Sequence, residues 1–300
     1  MQYKSYRSGF KTYLQLERNL AANTIEAYLH DLDLLHTFLE ETKAKQSLKT
    51  LNLNDLQSFV SYINKLEFGA YSQARIISGL KAFYNYLVLE KEISDSPTQF
   101  LEAPKLGRKL PDILSIEEIE KIINSLDLSK AEGQRNRAIL EMLYGSGLRV
   151  SELINLKLSE VDFKNNILLI TGKGNKQRLV PLGEISKKQI LLYVDNYRIH
   201  ENIKKGSEDI LFLNRRGNKL SRQMIFLIIK KQCVISGIQK DISPHTFRHS
   251  FATHLVQGGA DLRVVQQLLG HSSIITTEIY THLNTDDLRK SIMKYHPRNN

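Results

Sequence analysis

A chain of 300 residues, 41% hydrophobic and 25% charged, has the length for two ordinary domains and the composition of a globular protein. Its longest apolar run, Met224 to Ile229, is far too short to span a bilayer, and Met1-Gln2-Tyr3-Lys4 lacks the apolar core of a secretion signal. A cytoplasmic protein without membrane insertion is therefore expected; the single cysteine, Cys233, excludes an internal disulfide and reads as a small buried apolar filler.

The net charge of +10 is unevenly placed: residues 1–103 hold 11 Lys+Arg against 12 Asp+Glu, whereas residues 104–300 hold 31 against 20. A basic face attracts polyanions and gains affinity from released counterions, so the C-terminal two-thirds favours nucleic acid, although charge alone is a weak indication.

In chain order, apolar residues first recur at helical spacing. Ile25, Tyr28, Leu29, Leu32, Leu35 and Leu39 form one stripe, with Asn23 as its expected N-cap. Leu56, Phe59, Val60 and Ile63 form a second, and Ile76, Leu80, Phe83, Tyr84 and Leu87, after Ser72, a third. With no competing strand pattern, residues 1–103 are expected to be a small helical bundle. Pro97, Pro104 and Pro111 interrupt helical structure, and residues 104–112 are read as the linker.

A second domain is expected over residues 113–284. Helices are predicted from Ile116 to Leu126 and from Gln134 to Leu143. Ile167 to Ile170 and Arg178 to Val180 flank Gly172-Lys173-Gly174-Asn175, a β-hairpin with a glycine-bearing turn. The rest is expected to return to helix. Ser221 begins one segment; Ser243 followed by Pro244 reads as an N-cap with proline at the first helical position. That helix should stop at Gly258-Gly259, and the next, from near Asp261, at Gly270. Leu288, Ile292 and Tyr295 then give helical spacing to a basic tail, residues 285–300. The fold class is mainly α with a small β-sheet.

Six residues stand out as a chemical set: Arg149, Lys173, His245, Arg248, His271 and Tyr280. In-line attack on a phosphodiester needs a nucleophile, donors for the non-bridging oxygens and an acid for the leaving oxygen. Arginine stays charged and its planar fork matches two phosphate oxygens. Arg149 follows the turn Gly145-Ser146-Gly147 and opens a helix whose buried stripe would be Val150, Leu153 and Ile154; Glu152 shares its face and either orients the guanidinium or makes a surface salt bridge.

Arg248 and His245 project from one side of a helix whose packing face is Phe247, Phe251 and Leu255. His249 and His254 read as structural. His245 and His249 have the helical spacing of a zinc pair but lack the glutamate of the protease motif and a third ligand, so no metal and no cofactor are expected. Lys173, between two glycines, either is solvated or reaches a phosphate as general acid. Tyr280 is one of 13 tyrosines, and nearby cations would ease its ionisation from an ordinary pKa near 10.

Together with the words Gly145 to Leu153, Gly172 to Leu182, Gly259 to Gln266 and Asn23 to Tyr28, the ordered set resembles the tyrosine recombinase (phage integrase) family, and within it the chromosomal Xer subgroup. Gly259 to Gln266 and the ending Tyr295-His296-Pro297-Arg298 are closer to its D-type branch than to its C-type branch.

The resemblance covers nearly the whole chain. It implies an N-terminal helical SAM-like core-binding domain and an α+β catalytic domain that clamp double-stranded DNA. Four protomers, either copies of this chain or pairs with a second Xer recombinase, would assemble on two recombination sites. They would exchange strands through a Holliday junction and resolve chromosome dimers at cell division, with a septal DNA translocase as a further partner. Arg149, His245, Arg248 and His271 would bind and activate the phosphate, Lys173 would protonate the 5′ oxygen, and Tyr280 would hold the 3′ phosphate. The tail helix either folds onto its own domain or, by resemblance, inserts into a neighbouring subunit.

Arg222 and Gln223, able to read base edges, are nominated for DNA recognition beside the alternative of phosphate contact or plain surface. Arg75 and Lys81 are nominated as a local basic stripe in an otherwise acidic first domain. Two other readings stay open: an integrase or resolvase of a mobile element, and an inactive architectural DNA-binding protein.

Overall fold

The computed structural model describes residues 2–42, 46–105, 107, 112–172, 176–270 and 285–299. It divides into two compact units, Met1–Lys109 and Leu110–Asn300. Among the described residues, no helix is long and apolar enough to cross a membrane.

The N-terminal unit is built from α1 (Gln2–Leu16), α2 (Ala22–Glu41), α3 (Leu53–Lys65) and α4 (Ala70–Leu89). The three predicted stripes are its interior: Leu32, Leu35, Leu56, Phe59, Leu80 and Phe83 are all at most 1% exposed. Helix α1, outside the three predicted stripes, contributes Phe10 and Leu14 to the same core. The expected N-cap at Asn23 does not hold. Helix α2 starts at Ala22 with Ala21 at the cap position and no side-chain cap bond, so Asn23 already lies in the first turn. Helix α3 is capped as expected of its type: the Asn52 side chain accepts from the Asn54 and Asp55 N–H groups, and Asp55 accepts from the Asn52 N–H.

The C-terminal unit opens with α5 (Ile116–Asn124), capped reciprocally by Ser115 and Glu118, and α6 (Ala131–Gly145), which is buried along much of its length. Then come α7 (Val150–Asn155) and a three-stranded antiparallel sheet in the order β1 (Val161–Asp162), β2 (Ile167–Thr171), β3 (Gln177–Pro181). The predicted hairpin is β2–β3, with Ile167 opposite Pro181 and Thr171 opposite Gln177. Strand β1, two residues long, is too short to carry an alternating pattern.

Helices α8 (Glu184–Asn196), α9 (Arg222–Ile235), α10 (Pro244–Gln257), α11 (Leu262–Leu269) and α12 (Thr285–Tyr295) complete the unit. The expected unbroken return to helix does not hold between α8 and α9. There the chain runs through turns and isolated bridges, Lys157 with Ile210 and Leu213 with Lys219, and buries Leu211, Phe212 and Leu213 without helical periodicity. Helices α9 and α11 start where the sequence places them, and each has a side-chain cap: Ser221 accepts from the Met224 N–H and Asp261 from the Arg263 N–H. Cys233 is buried in this core as a filler, and burial pushes its thiol up to about 11.

The tail packs onto its own domain. Leu288 and Ile292 of α12 are 4% and 1% exposed and join the core of the C-terminal unit. Beyond them His296 is wholly buried against the rings of Tyr144 and Phe251, and Arg298 bonds the buried Glu141 carboxylate at 2.9 Å. Leu288, Ile292 and His296 therefore cover core surface that loss of this tail would expose.

Candidate active site

The site grows from a sharp turn. Gly147, after α6, has φ +57°, and a Cβ there would lie 2.4 Å from the Phe251 ring. Only glycine meets both conditions, and so α6 and α10 approach closely enough for Arg248 Nη1 to donate to the Gly147 carbonyl at 2.6 Å. Arg149 sits at the N-cap position of α7, two residues on.

Glu152 in the first turn of α7 organises what surrounds it. Its Oε2 accepts from the Arg149 backbone N–H at 2.8 Å and its Oε1 from Arg149 Nη1 at 2.9 Å. Arg178, from β3, grips the same carboxylate with both arms, Nη1 to Oε1 at 2.8 Å and Nη2 to Oε2 at 2.9 Å. Arg248 Nη1 lies 4.0 Å from Oε2. The carboxylate side chain is 3% exposed, so the surface-bridge reading of the Arg149–Glu152 pair gives way to a buried ionic cluster. Burial would raise the Glu152 pKa, but the bonds from Arg178 and from the Arg149 backbone outweigh it and hold the carboxyl below its ordinary value. Three guanidiniums around one carboxylate leave positive charge in excess. Burial, with Arg149 adding repulsion, pushes Arg248 down to about 10, so it stays cationic at neutral pH.

The same arginines converge on the end of α11. Arg178 Nε donates to Leu268 O at 3.1 Å, Arg248 Nη2 to Leu269 O, and Arg149 Nη2 to Gly270 O at 3.1 Å. Gly270 is the left-handed C-cap predicted for this helix, at φ +62°. The carbonyls of a helix C-terminus carry partial negative charge, so they hold cations in place.

His245, exposed, and Arg248, buried, lie one turn apart on α10, with Phe247, Phe251 and Leu255 on the packing face as the spacing predicts. His245, Arg248, His249, Leu269, Asp112 and Asp241 are among the residues lining a cleft of about 440 Å³. His254, in contrast, is a structural residue: its Nδ1 and the Tyr144 hydroxyl share a 2.8 Å bond, and burial lowers its pKa.

Lys173, His271 and Tyr280 lie outside the described residues. Arg222 and Gln223 are exposed in the first turn of α9. Arg75 is not a free cation, since it clasps the buried Asp31 at 2.5 and 2.6 Å and also donates to Ala27 O; Lys81 is half-buried on α4.

Comparison with known proteins fits this geometry. The model of the phage integrase family matches residues 112–287, and that of the phage integrase N-terminal SAM-like domain matches residues 8–91. The tyrosine recombinase XerD of Staphylococcus saprophyticus is 42% identical over 95% of this chain and 96% of its own length. The chain belongs to the phage integrase family.

The recombinase is also 40% identical to the tyrosine recombinase XerD of Staphylococcus aureus over 95% of this chain and 96% of the relative. Among solved structures, it is similar to the XerA recombinase (32% identity, 99% of both chains, TM-score 0.50). It is also similar to the XerH site-specific recombinase bound to its palindromic difH substrate after cleavage (26% identity, 92% of this chain and 81% of that one, TM-score 0.70). A lambda integrase dimer on a core site shares the fold at 18% identity and TM-score 0.69. The fold is therefore that of tyrosine recombinases, mostly helical with a small sheet, and the activity class is site-specific recombination.

Sequence reasoning missed Arg178. A signal was present: in a strand, residues two apart share a face, so Arg178 points the same way as the buried Val180 while Leu179 is 42% exposed. A charged residue on the inward face of a strand marks a buried partner.

Proposed function

We propose that this recombinase cuts and rejoins duplex DNA at one specific site through a covalent 3′-phosphotyrosyl bond. The observation that carries the reading is the cluster of Arg149, Arg178 and Arg248 around a single buried carboxylate. Its excess positive charge calls for an anion, and a phosphodiester with two non-bridging oxygens answers that need.

Arg149 and Arg248 bind those oxygens and stabilise the charge that grows on them, with His245 and His271 as further donors. The Tyr280 oxygen attacks phosphorus; the bond to the 5′ oxygen breaks, and Lys173 delivers a proton to that leaving oxygen. The phosphotyrosyl ester keeps the energy of the original linkage. The 5′ hydroxyl of a partner strand attacks it and releases the phenol, so no nucleotide is consumed.

Two rounds of this exchange pass through a Holliday junction in a tetramer on two sites, assembled from copies of this chain or with a second recombinase. The resemblance to XerD proteins favours resolution of chromosome dimers at division, with a septal DNA translocase as the activating partner.

The test begins by selecting bound duplexes from a random-sequence pool with the Tyr280→Phe protein. A nicked form of the selected duplex is expected to become covalently attached to the wild-type protein, with or without chelator. Tyr280→Phe should bind it and form no adduct. Specific binding without any wild-type adduct would instead support an architectural DNA-binding role. Sequencing the DNA at the trapped Tyr280 identifies the site.

A further inference from the structure

Arg178 lies outside the six proposed catalytic groups, yet it touches what holds them. Its side chain is 15% exposed, against 33% for Arg149. Both arms of its guanidinium are committed to Glu152 and its Nε to Leu268 O. Each of its three nitrogens thus donates to a protein acceptor, whereas among the described residues Arg149 and Arg248 each engage Nη1 and Nη2 and leave Nε uncommitted.

Its position explains the commitment. Arg178 pairs with Ile170 in the β2–β3 ladder, and the Gly172 N–H closes the base of the hairpin on Lys176 O at 2.8 Å. A Cβ on Gly172 would sit 3.6 Å from Arg178 Nη1 and 3.7 Å from Glu152 Oε1, so the hairpin base lies directly over the ion pair. A Cβ on Gly270 would sit 3.0–3.3 Å from Cδ, Nε and Cζ of the same side chain. Arg178 is thus wedged between the hairpin that leads to Lys173, the carboxylate that orients Arg149, and the helix end that leads to His271.

Arg149 reaches both oxygens of this carboxylate, but only the bond from Nη1 to Oε1 involves the side chain that has to be oriented. A planar fork on both of its oxygens fixes its plane, and a lysine cannot supply that geometry.

We propose that Arg178 is a positioning residue: it locks Glu152, and through it Arg149, in the orientation needed to bind the scissile phosphate. This rests on the function proposed above.

The experiment measures adduct formation in a single turnover on the nicked, pool-selected duplex at saturating DNA. Affinity and its salt dependence are measured separately. Arg178→Lys keeps the charge and loses the fork. Its adduct rate should fall about 10²-fold, as expected for a misplacement of about 1 Å. Its DNA affinity and salt slope should stay as in the wild type. In an Arg149→Lys background, adding Arg178→Lys should cost no more than about 3-fold, because both act through one contact.

Equal losses in the two backgrounds would overturn the assignment. So would a wild-type rate, or a salt slope reduced by about 1, the mark of a phosphate ligand. If Arg178→Lys does not fold, Arg178→Met with Glu152→Gln removes both buried charges together. That pair should show the same loss of rate at unchanged affinity, and an unimpaired rate would sink the proposal. A wild-type protein that forms no adduct sinks the proposed function and this assignment together; a wild-type adduct with an unimpaired Arg178→Lys sinks this assignment alone.

Discussion

In the N-terminal unit the wholly buried Asp31 meets one arginine, Arg75, itself 39% exposed. In the catalytic unit Glu152, 6% exposed, has three arginines within 4.0 Å. Burial dominates at Asp31 and raises its pKa despite Arg75, whereas at Glu152 the arginine bonds overcome burial and lower it. One carboxylate with one cation is a closed account of charge. One carboxylate among three cations is not: among the described residues the cluster keeps an excess of positive charge. Both units use buried acid to hold arginine; among the described residues the Glu152 cluster gathers more arginines than its one carboxylate neutralises.

The largest effect should come from removing the acid at the Glu152 cluster. Glu152→Gln leaves three guanidiniums repelling one another, which should lower the stability of the catalytic unit by about 3–5 kcal/mol. It should also slow adduct formation about 10²-fold through loss of orientation. Asp31→Asn should cost no more than about 1–3 kcal/mol, confined to the N-terminal unit, with the adduct rate at saturating DNA unchanged. Denaturant unfolding and single-turnover kinetics on both variants check this. Equal kinetic losses would mean that the two clasps do the same work.

The two acids should also give the units opposite responses to pH. Glu152 has a folded pKa below its unfolded value of about 4.3, so its stabilisation is complete above that pH and is lost as pH falls through the depressed value. Asp31 has a folded pKa above its unfolded value of about 3.9, so the folded state binds the extra proton between the two, and stability from this group declines as pH rises. Unfolding curves between about pH 3 and about pH 7 should show the penalty of Glu152→Gln shrinking in acid. Over the same range Asp31→Asn should gain on the wild type as pH rises. Parallel trends in the two variants would remove the electrostatic contrast.

How much of this could be read beforehand differs by level. Helices α2, α3 and α4 are legible because Leu32, Leu56 and Leu80 bury one face at a period near 3.6, a local signal. The αL cap at Gly270 and the proline start of α10 were legible for the same reason. Arg149 and Arg248, which the structure brings together at Glu152, stand out by type and order. What they are bonded to does not. Glu152 lies three residues from Arg149 and reads either as an orienting partner or as a surface pair; its burial is imposed by Arg178, from β3, and by packing that brings α7, β3 and α11 together. Arg75 failed in the mirror-image way. It reads as a free surface cation because its partner Asp31 lies 44 residues away, across two helices.

That last pair sets the smallest and sharpest comparison. Arg75 and Arg222 were both nominated to touch DNA, and they now differ in whether their charge is spoken for. Arg75→Ala strands the Asp31 carboxylate in the interior and should lower stability by about 1–3 kcal/mol, with little change in the salt dependence of DNA binding. Arg222, exposed beside the Ser221 cap of α9, should be replaceable by alanine within about 0.5 kcal/mol of stability.

Its loss should appear in binding alone. If it reads a base, the selected duplex weakens by about 1–3 kcal/mol and one position of the site becomes tolerant of substitution. If it holds a phosphate, all sequences weaken alike and the salt slope falls by about 1. Competition binding across single-base variants of the selected duplex separates these two outcomes. An Arg75→Ala protein that is fully stable but loses salt slope would mean that the Asp31 clasp presents Arg75 to DNA rather than consuming it.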